Sequence, residues 1–255
     1  MNVLACIKRV PATGARIVLT EDEQEIETQH LGFAVSPHEE CAVEAAIRLV
    51  EQQEGTSTVL TLGPEAAIEQ LRFALAQGIN RAVLLETDSS DWGPMATAQA
   101  IVEAIRVQQV ELGSFNAIFF GNEAADTGGY QVGIRVAHAL DLPCVTGVKA
   151  LEIANGSAVA KRETSEGWEI FRVPLPAVFT VKEGINLPRY PSLPGRLRAK
   201  KATIERIRPQ QIDGDLAKIR LLVPEEQSSG AEILGQGPEA GPQVVEILKK
   251  LGLLS

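Results

Sequence analysis

The pattern that most restricts this chain is an alternation of short apolar runs with helical stretches. The runs "NVLACIK" (2–8), "STVLTLGP" (57–64), "RAVLLET" (81–87), "FNAIFFG" (115–121) and "CVTGVKALEI" (144–153) read as buried strands. Helical patterns separate them at 36–53, 65–78, 95–110 and 129–140. Such an order predicts an α/β fold with a mostly parallel, doubly wound, Rossmann-like sheet and helices on its faces. The near-continuous apolar character of 115–121 is that of a parallel strand covered on both sides. In "SPHEECAVEAAIRLVEQQ", Ser36 suits the N-cap, Pro37 the first helical position, and Glu39 completes a capping box. Residues 15–29 read as a partly exposed hairpin or excursion. From 157 the rhythm changes to sequential strands, "SAVAKRET", "WEIFRV" and "PAVFTVK". After 185 the chain is expected to be irregular, charged and proline-rich. The tract 227–243 is linker-like, and 244–254 is a short terminal helix with an apolar face to cover.

Composition narrows the function. The net charge of −9 argues against wholesale nucleic-acid or anionic-membrane binding, and aromatics at 4% leave little for base stacking. No apolar stretch reaches the roughly 18 residues of a membrane span, so no membrane insertion is expected. The N-terminus has no signal-peptide pattern. The cysteines, Cys6, Cys41 and Cys144, show no CxxC spacing, which suits packing thiols in a reduced, cytoplasmic compartment.

Ligands of open parallel sheets bind beyond the carboxyl ends of the strands. The candidate loops are Ala5–Lys8, Leu62–Pro64, Glu86–Ser90 and, above all, the stretch after 115–121. That stretch leaves its strand through Gly121, Asn122 and Glu123. It passes Ala124, Ala125, Asp126, Thr127, Gly128 and Gly129, and enters a helix near Tyr130, Gln131 and Val132. Backbone N–H groups at such a helix start suit a phosphate. A glycine-rich turn serves tight geometry equally well without a ligand. Neither GxGxxG nor a Walker A loop is present. His30, His38 and His138 lack metal spacing, no nucleophile elbow occurs, and no catalytic group is assigned. His38, in the first turn of its helix, faces the mouth of the sheet.

Against this acidic background stands "INLPRYPSLPGRLRAKK" (185–201), basic, proline-punctuated and carrying Leu193. Read by itself, Leu193 packs locally and the basic run is solvated. Three stretches together point elsewhere: "CIKRVP", "SPHEECAVEAAIRLVE" and "RETSEGWEIFRVPLPAVFTVKEGINLPRYPSLPGRLRAKK". Over residues 2–207 the chain resembles the beta subunits of electron transfer flavoproteins.

The resemblance implies a heterodimer with an alpha subunit and one FAD near their interface, held mostly by alpha. Pro37 and His38 would form a wall near the flavin ring. It also implies a structural AMP at Ala5, at Ser36 to Glu39, at Leu62 and at Gly121 to Val132, the loops that the sheet argument selects. The alternative is a bifurcating member with a second FAD in place of AMP, which "QVG" (131–133) resembles. A stand-alone adenine-nucleotide sensor is a further alternative. Residues 185–201 match the family's recognition loop, with Leu193 as its anchor and Arg189, Tyr190 and Arg196 beside it. Partners would be flavin dehydrogenases, such as those of acyl-CoA, and a quinone reductase. The implied division is 1–184, a recognition loop at 185–201, and an arm on alpha from 202 to 255.

Overall fold

The computed structural model describes residues 1–88, 92–212, 218–224 and 233–254. Ser89 and Ser90 of the third candidate loop, and residues 227–232 of the linker-like tract, lie outside them.

The strands are β1 (Asn2–Ile7), β2 (Arg9–Pro11), β3 (Phe33–Val35), β4 (Thr56–Gly63), β5 (Arg81–Glu86) and β6 (Ala117–Gly121). They continue with β7 (Cys144–Ala154), β8 (Ser157–Thr164), β9 (Gly167–Pro174), β10 (Ala177–Val181) and β11 (Glu205–Ile207). The helices are α1 (Pro37–Gln53), α2 (Ile68–Gln77), α3 (Pro94–Leu112), α4 (Val132–Ala139), α5 (Leu193–Lys201) and α6 (Gly241–Lys250). Among the described residues one nine-stranded sheet runs β11-β5-β4-β1-β6-β10-β7-β8-β9. Its strands are parallel from β11 to β7, and β8 and β9 continue it antiparallel. This is the expected mostly parallel α/β architecture.

Side chains alternate across the sheet, so each strand feeds two cores. Val3, Ala5, Val59 and Phe119 meet Ala42, Ala46, Ile47 and Leu71 of α1 and α2. Leu4, Leu60, Ile118 and Phe120 meet Ile101, Ile105 and Val136 of α3 and α4. The chain builds β4 and β5 on one side of β1, then places β6 on the other. The order reverses between β1 and β6, the point of an open parallel sheet at which ligands bind beyond the carboxyl ends of the strands.

Two expectations change. The chain after 185 is not irregular throughout. Ser192 caps α5, its Oγ accepting the Gly195 N–H at 3.1 Å, and β11 then pairs with β5 along the sheet edge. Basic residues cluster in the last turn of α5, where the helix dipole favours them. The helix expected from 129 starts at Val132 instead. Gly128 and Tyr130 both have φ of 55°, which helical geometry does not allow. The excursion at 15–29 keeps one antiparallel contact, Leu19 with Ile26. The β2–β3 ribbon returns the chain to the sheet just before Ser36.

Candidate functional site

The start of α1 and the loop after β6 meet over the end of β1. Gly121 is required at the meeting point: a Cβ there would stand 2.6 Å from Glu39 Cγ and 3.1 Å from the Glu39 nitrogen. The expected capping box forms only by half. Ser36 is the N-cap of α1, but its hydroxyl donates to the Glu123 carbonyl, at 3.4 Å, rather than capping its own helix. The loop after β6 lies over the helix start and claims that hydroxyl.

Glu39 is turned inward and only 6% exposed. Its carboxylate accepts the Lys8 N–H at 2.9 Å and the backbone N–H of Ser36. Burial pushes this carboxyl up to about 8, against the opposing pull of those N–H groups and the Lys8 charge. Lys8 Nζ itself pairs with Asp126 at 2.6 Å, tying the end of β1 to the loop after β6. Lys8 closes the first of the candidate loops, but nothing in the sequence pairs it with Asp126.

The loop then tightens. The Gly128 N–H donates to the Ala124 carbonyl, and Thr127 Oγ1 lies 3.4 Å from Asp126 Oδ1. Ala125, Gly129 and Tyr130 are exposed. Gln131 opens α4, its side chain accepting from Arg135 at 3.0 and 3.2 Å. The Arg135 N–H bonds the Gln131 carbonyl, so the N–H groups of Val132, Gly133 and Ile134 precede the first helical hydrogen bond. Gly133 lets α4 sit close on the sheet, since a Cβ there would lie 2.9 Å from Thr180 Cγ2. Asn122 points away along the sheet: its Oδ1 accepts from Thr180 Oγ1 at 2.9 Å, and Thr180 accepts the Gly147 N–H.

His38 lies on the other flank of the loop. It lines an open cleft of about 620 Å³ with Glu123, Tyr130, Lys149, Lys182 and Glu183. A neighbouring cleft of about 250 Å³ shares Tyr130 and Lys182 and adds Arg162, Thr146 and Thr180. Burial holds the His38 imidazole below its ordinary value, with Glu123 Oε1 at 4.0 Å pulling the other way. His38 Nδ1 is buried without a hydrogen-bond partner. Thr61 Oγ1 and Thr87 Oγ1, at the ends of β4 and β5, are likewise unpaired.

The expected residues therefore divide. Ser36, His38, Glu39 and the stretch from Gly121 to Asp126 converge. Leu62 is partly buried near the end of β4, against the α3 side of the core. Ala5 is fully buried in mid-strand, opposite Val59 and Phe119, and its side chain does not reach the crevice. Among the cleft residues, Lys149 comes from β7 and Arg162 from β8, while Lys182 directly follows β10, and only the insertion of β10 between β6 and β7 brings them beside the loop.

The 185–201 segment forms a second feature. Leu193 is 72% and Tyr190 91% exposed, and Leu197 stands exposed one turn along α5. Arg196 is exposed nearby. Arg189 is not free to meet a partner: its guanidinium is held by Glu44 and Glu51 of α1.

Comparison with known proteins gives these two features a context. The family described as "Electron transfer flavoprotein domain" matches residues 25–211. The electron transfer flavoprotein subunit beta of Bacillus subtilis (strain 168) is 33% identical over 258 residues, covering 98% of each chain. The chain belongs to the electron transfer flavoprotein family. Its relatives are beta subunits. The one of Syntrophomonas wolfei is 31% identical over 98% of this chain and 96% of its own. The mitochondrial one of Oryza sativa is 32% identical over 85% of both. This is a family of electron carriers, and a beta subunit implies an alpha subunit as its mate. Among the described residues no helix is long and apolar enough to cross a membrane, and no cluster of His, Cys, Asp or Glu is placed to hold a metal.

Proposed function

We propose that this chain is the beta half of an electron-shuttling heterodimer. Its alpha mate holds most of an FAD, and this chain holds AMP at the β1/β6 crevice. The unpaired buried oxygens of Thr61 and Thr87, and the N–H groups opening α4, are the polar complement that a mononucleotide needs. The start of α4 would take the phosphate, and the loops after β1 and β4 the adenine and ribose. His38, on the opposite flank, would face the flavin ring across the open cleft. The flavin supplies the redox chemistry; the chain's own residues bind, orient and exclude water.

The observation that carries the shuttle reading is Leu193, an apolar side chain presented outward from the capped start of α5 and flanked by basic residues. Its occupant would be an apolar pocket with an acidic rim on a flavin dehydrogenase, such as one acting on acyl-CoA. A single anchor within a polar rim gives a brief contact suited to a carrier. A quinone reductase would then accept the electrons.

Two measurements test this reading. Nucleotides released on denaturing the purified alpha–beta complex should be one FAD and one AMP; two FAD and no AMP would replace it with the bifurcating alternative. Leu193→Ala should keep its flavin yet lose electron acceptance from the dehydrogenase. Unchanged kinetics in that variant would remove the docking role.

A further inference from the structure

Glu44 lies in the middle of α1 and is 1% exposed, an extreme burial for a carboxylate outside the nucleotide crevice. Its oxygens are saturated by cations. Oε2 accepts the Arg189 N–H at 3.2 Å and Arg189 Nε at 2.9 Å, while Oε1 takes Arg189 Nη2 at 3.2 Å and Arg48 Nε at 2.5 Å. The same guanidinium forks onto Glu51, with Nη1 at 2.6 Å and Nη2 at 2.9 Å. Burial pushes the Glu44 carboxyl up, but the hydrogen bonds from Arg189 and Arg48 outweigh it and hold the group below its ordinary value. One arginine thus uses both faces of its fork on α1, an arrangement lysine cannot copy.

The backbone around Arg189 is fastened by the same neighbours. Asn186 Nδ2 donates to the Cys41 carbonyl at 2.9 Å, and Arg48 Nη2 to the Leu187 carbonyl at 3.1 Å. Gln77 of α2 donates to the Arg189 carbonyl at 2.9 Å. Beyond Ser192, α5 rests on α2 so closely that a Cβ on Gly195 would lie 2.3 Å from the Ala76 carbonyl oxygen. Arg72 donates to the carbonyls of Ala199 and Lys200 at the far end of that helix. Leu193 therefore projects from a segment anchored on both sides, and the buried Glu44–Arg189 contact is its N-terminal anchor.

We propose that Glu44 and Arg189 are a positioning pair for docking: they fix residues 186–192 on α1 so that Leu193 is held in the geometry a redox partner captures. The proposal rests on the docking role of Leu193 given above. Arg189 then acts through the segment rather than by touching the partner. Releasing it leaves Leu193 exposed but correctly placed for only a fraction of the time, and apparent affinity falls by that fraction.

The test uses the full alpha–beta complex with its flavin, assayed against a flavin dehydrogenase. Arg189→Gln should raise the KM for the complex roughly tenfold while kcat changes little, as expected for a drop of the competent fraction to about one tenth. Arg189→Lys should recover part of the loss. Hydrogen exchange at the amides of 187–192 should quicken in Arg189→Gln. Combining Arg189→Gln with Leu193→Ala should be no worse than Leu193→Ala alone, since positioning matters only if there is an anchor to position. If Arg189→Gln does not assemble, Glu44→Gln/Arg189→Gln replaces it, because removing both charges leaves none buried without a partner. An unchanged KM in Arg189→Gln beside an impaired Leu193→Ala overturns the positioning role alone, as do fully multiplicative losses or unaltered exchange. An unchanged KM in Leu193→Ala overturns the docking reading and this proposal together.

Discussion

Replacing Glu39 with glutamine should change how the stability of this protein depends on pH. In the folded chain burial raises the Glu39 carboxyl from its ordinary value of 4.5 to about 8. Unfolding returns it to water. Between those values the unfolded state has released a proton that the folded state still holds, so stability is greatest below the ordinary value and declines as pH rises toward 8. Each pH unit in that window removes about 1.4 kcal/mol, which makes about 2.7 kcal/mol between about pH 5.5 and 7.5 as an upper bound. Glutamine keeps the shape and an oxygen for the Lys8 N–H, and it never ionises. The assay is urea unfolding of the complex at fixed protomer concentration across this pH range, followed by circular dichroism. Wild type should lose stability relative to Glu39→Gln as pH rises. Parallel curves for the two proteins would refute the reasoning, because they would mean that Glu39 is already ionised in the folded state at low pH.

Two further outcomes follow from backbone geometry. Gly121→Ala drives a methyl into Glu39 and His38 and should lower stability by about 1–3 kcal/mol, measured as a drop in Tm. Tyr130→Gly relieves a non-glycine residue held at φ 55° and should raise stability by about 1 kcal/mol, read as an upward shift in Cm. A fall in Cm would show that Tyr130 side-chain contacts, which border both clefts, outweigh that strain.

Much of the architecture could be read in one dimension. The change from short continuous apolar runs to period 3.6 and back marks β1, α1, β4, α2, β5, α3 and β6 in order, because each strand must be apolar on both faces and each helix on one. Pro37 at the first helical position and Gly78 beyond Gln77 marked helix ends for the same local reason. Local signals failed where another part of the chain competes. Ser36 has a capping sequence but gives its hydroxyl to Glu123. Residues 193–201 look irregular because of their prolines and charges, with no apolar stripe to announce a helix. The Ser192 cap and the surface of α2 form one nevertheless.

The candidate site shows the same boundary. Glycines after β6, a helix that follows them and the leucine among basic residues are visible as letters, since each is a local chemical requirement, whereas the start of that helix at Val132 rather than 129 is not. Nothing local places Lys8 on Asp126, moves β10 between β6 and β7, or buries Glu44 beneath Arg189, residues separated by more than a hundred positions. Sequence by itself determined the types and order of the main strands and helices up to β10 and the chemistry available at the strand ends. Tertiary structure alone decided which charges meet, because burial removes the water that would otherwise keep them apart, and a carboxylate in the interior must either find its arginine, as Glu44 does, or hold its proton, as Glu39 does.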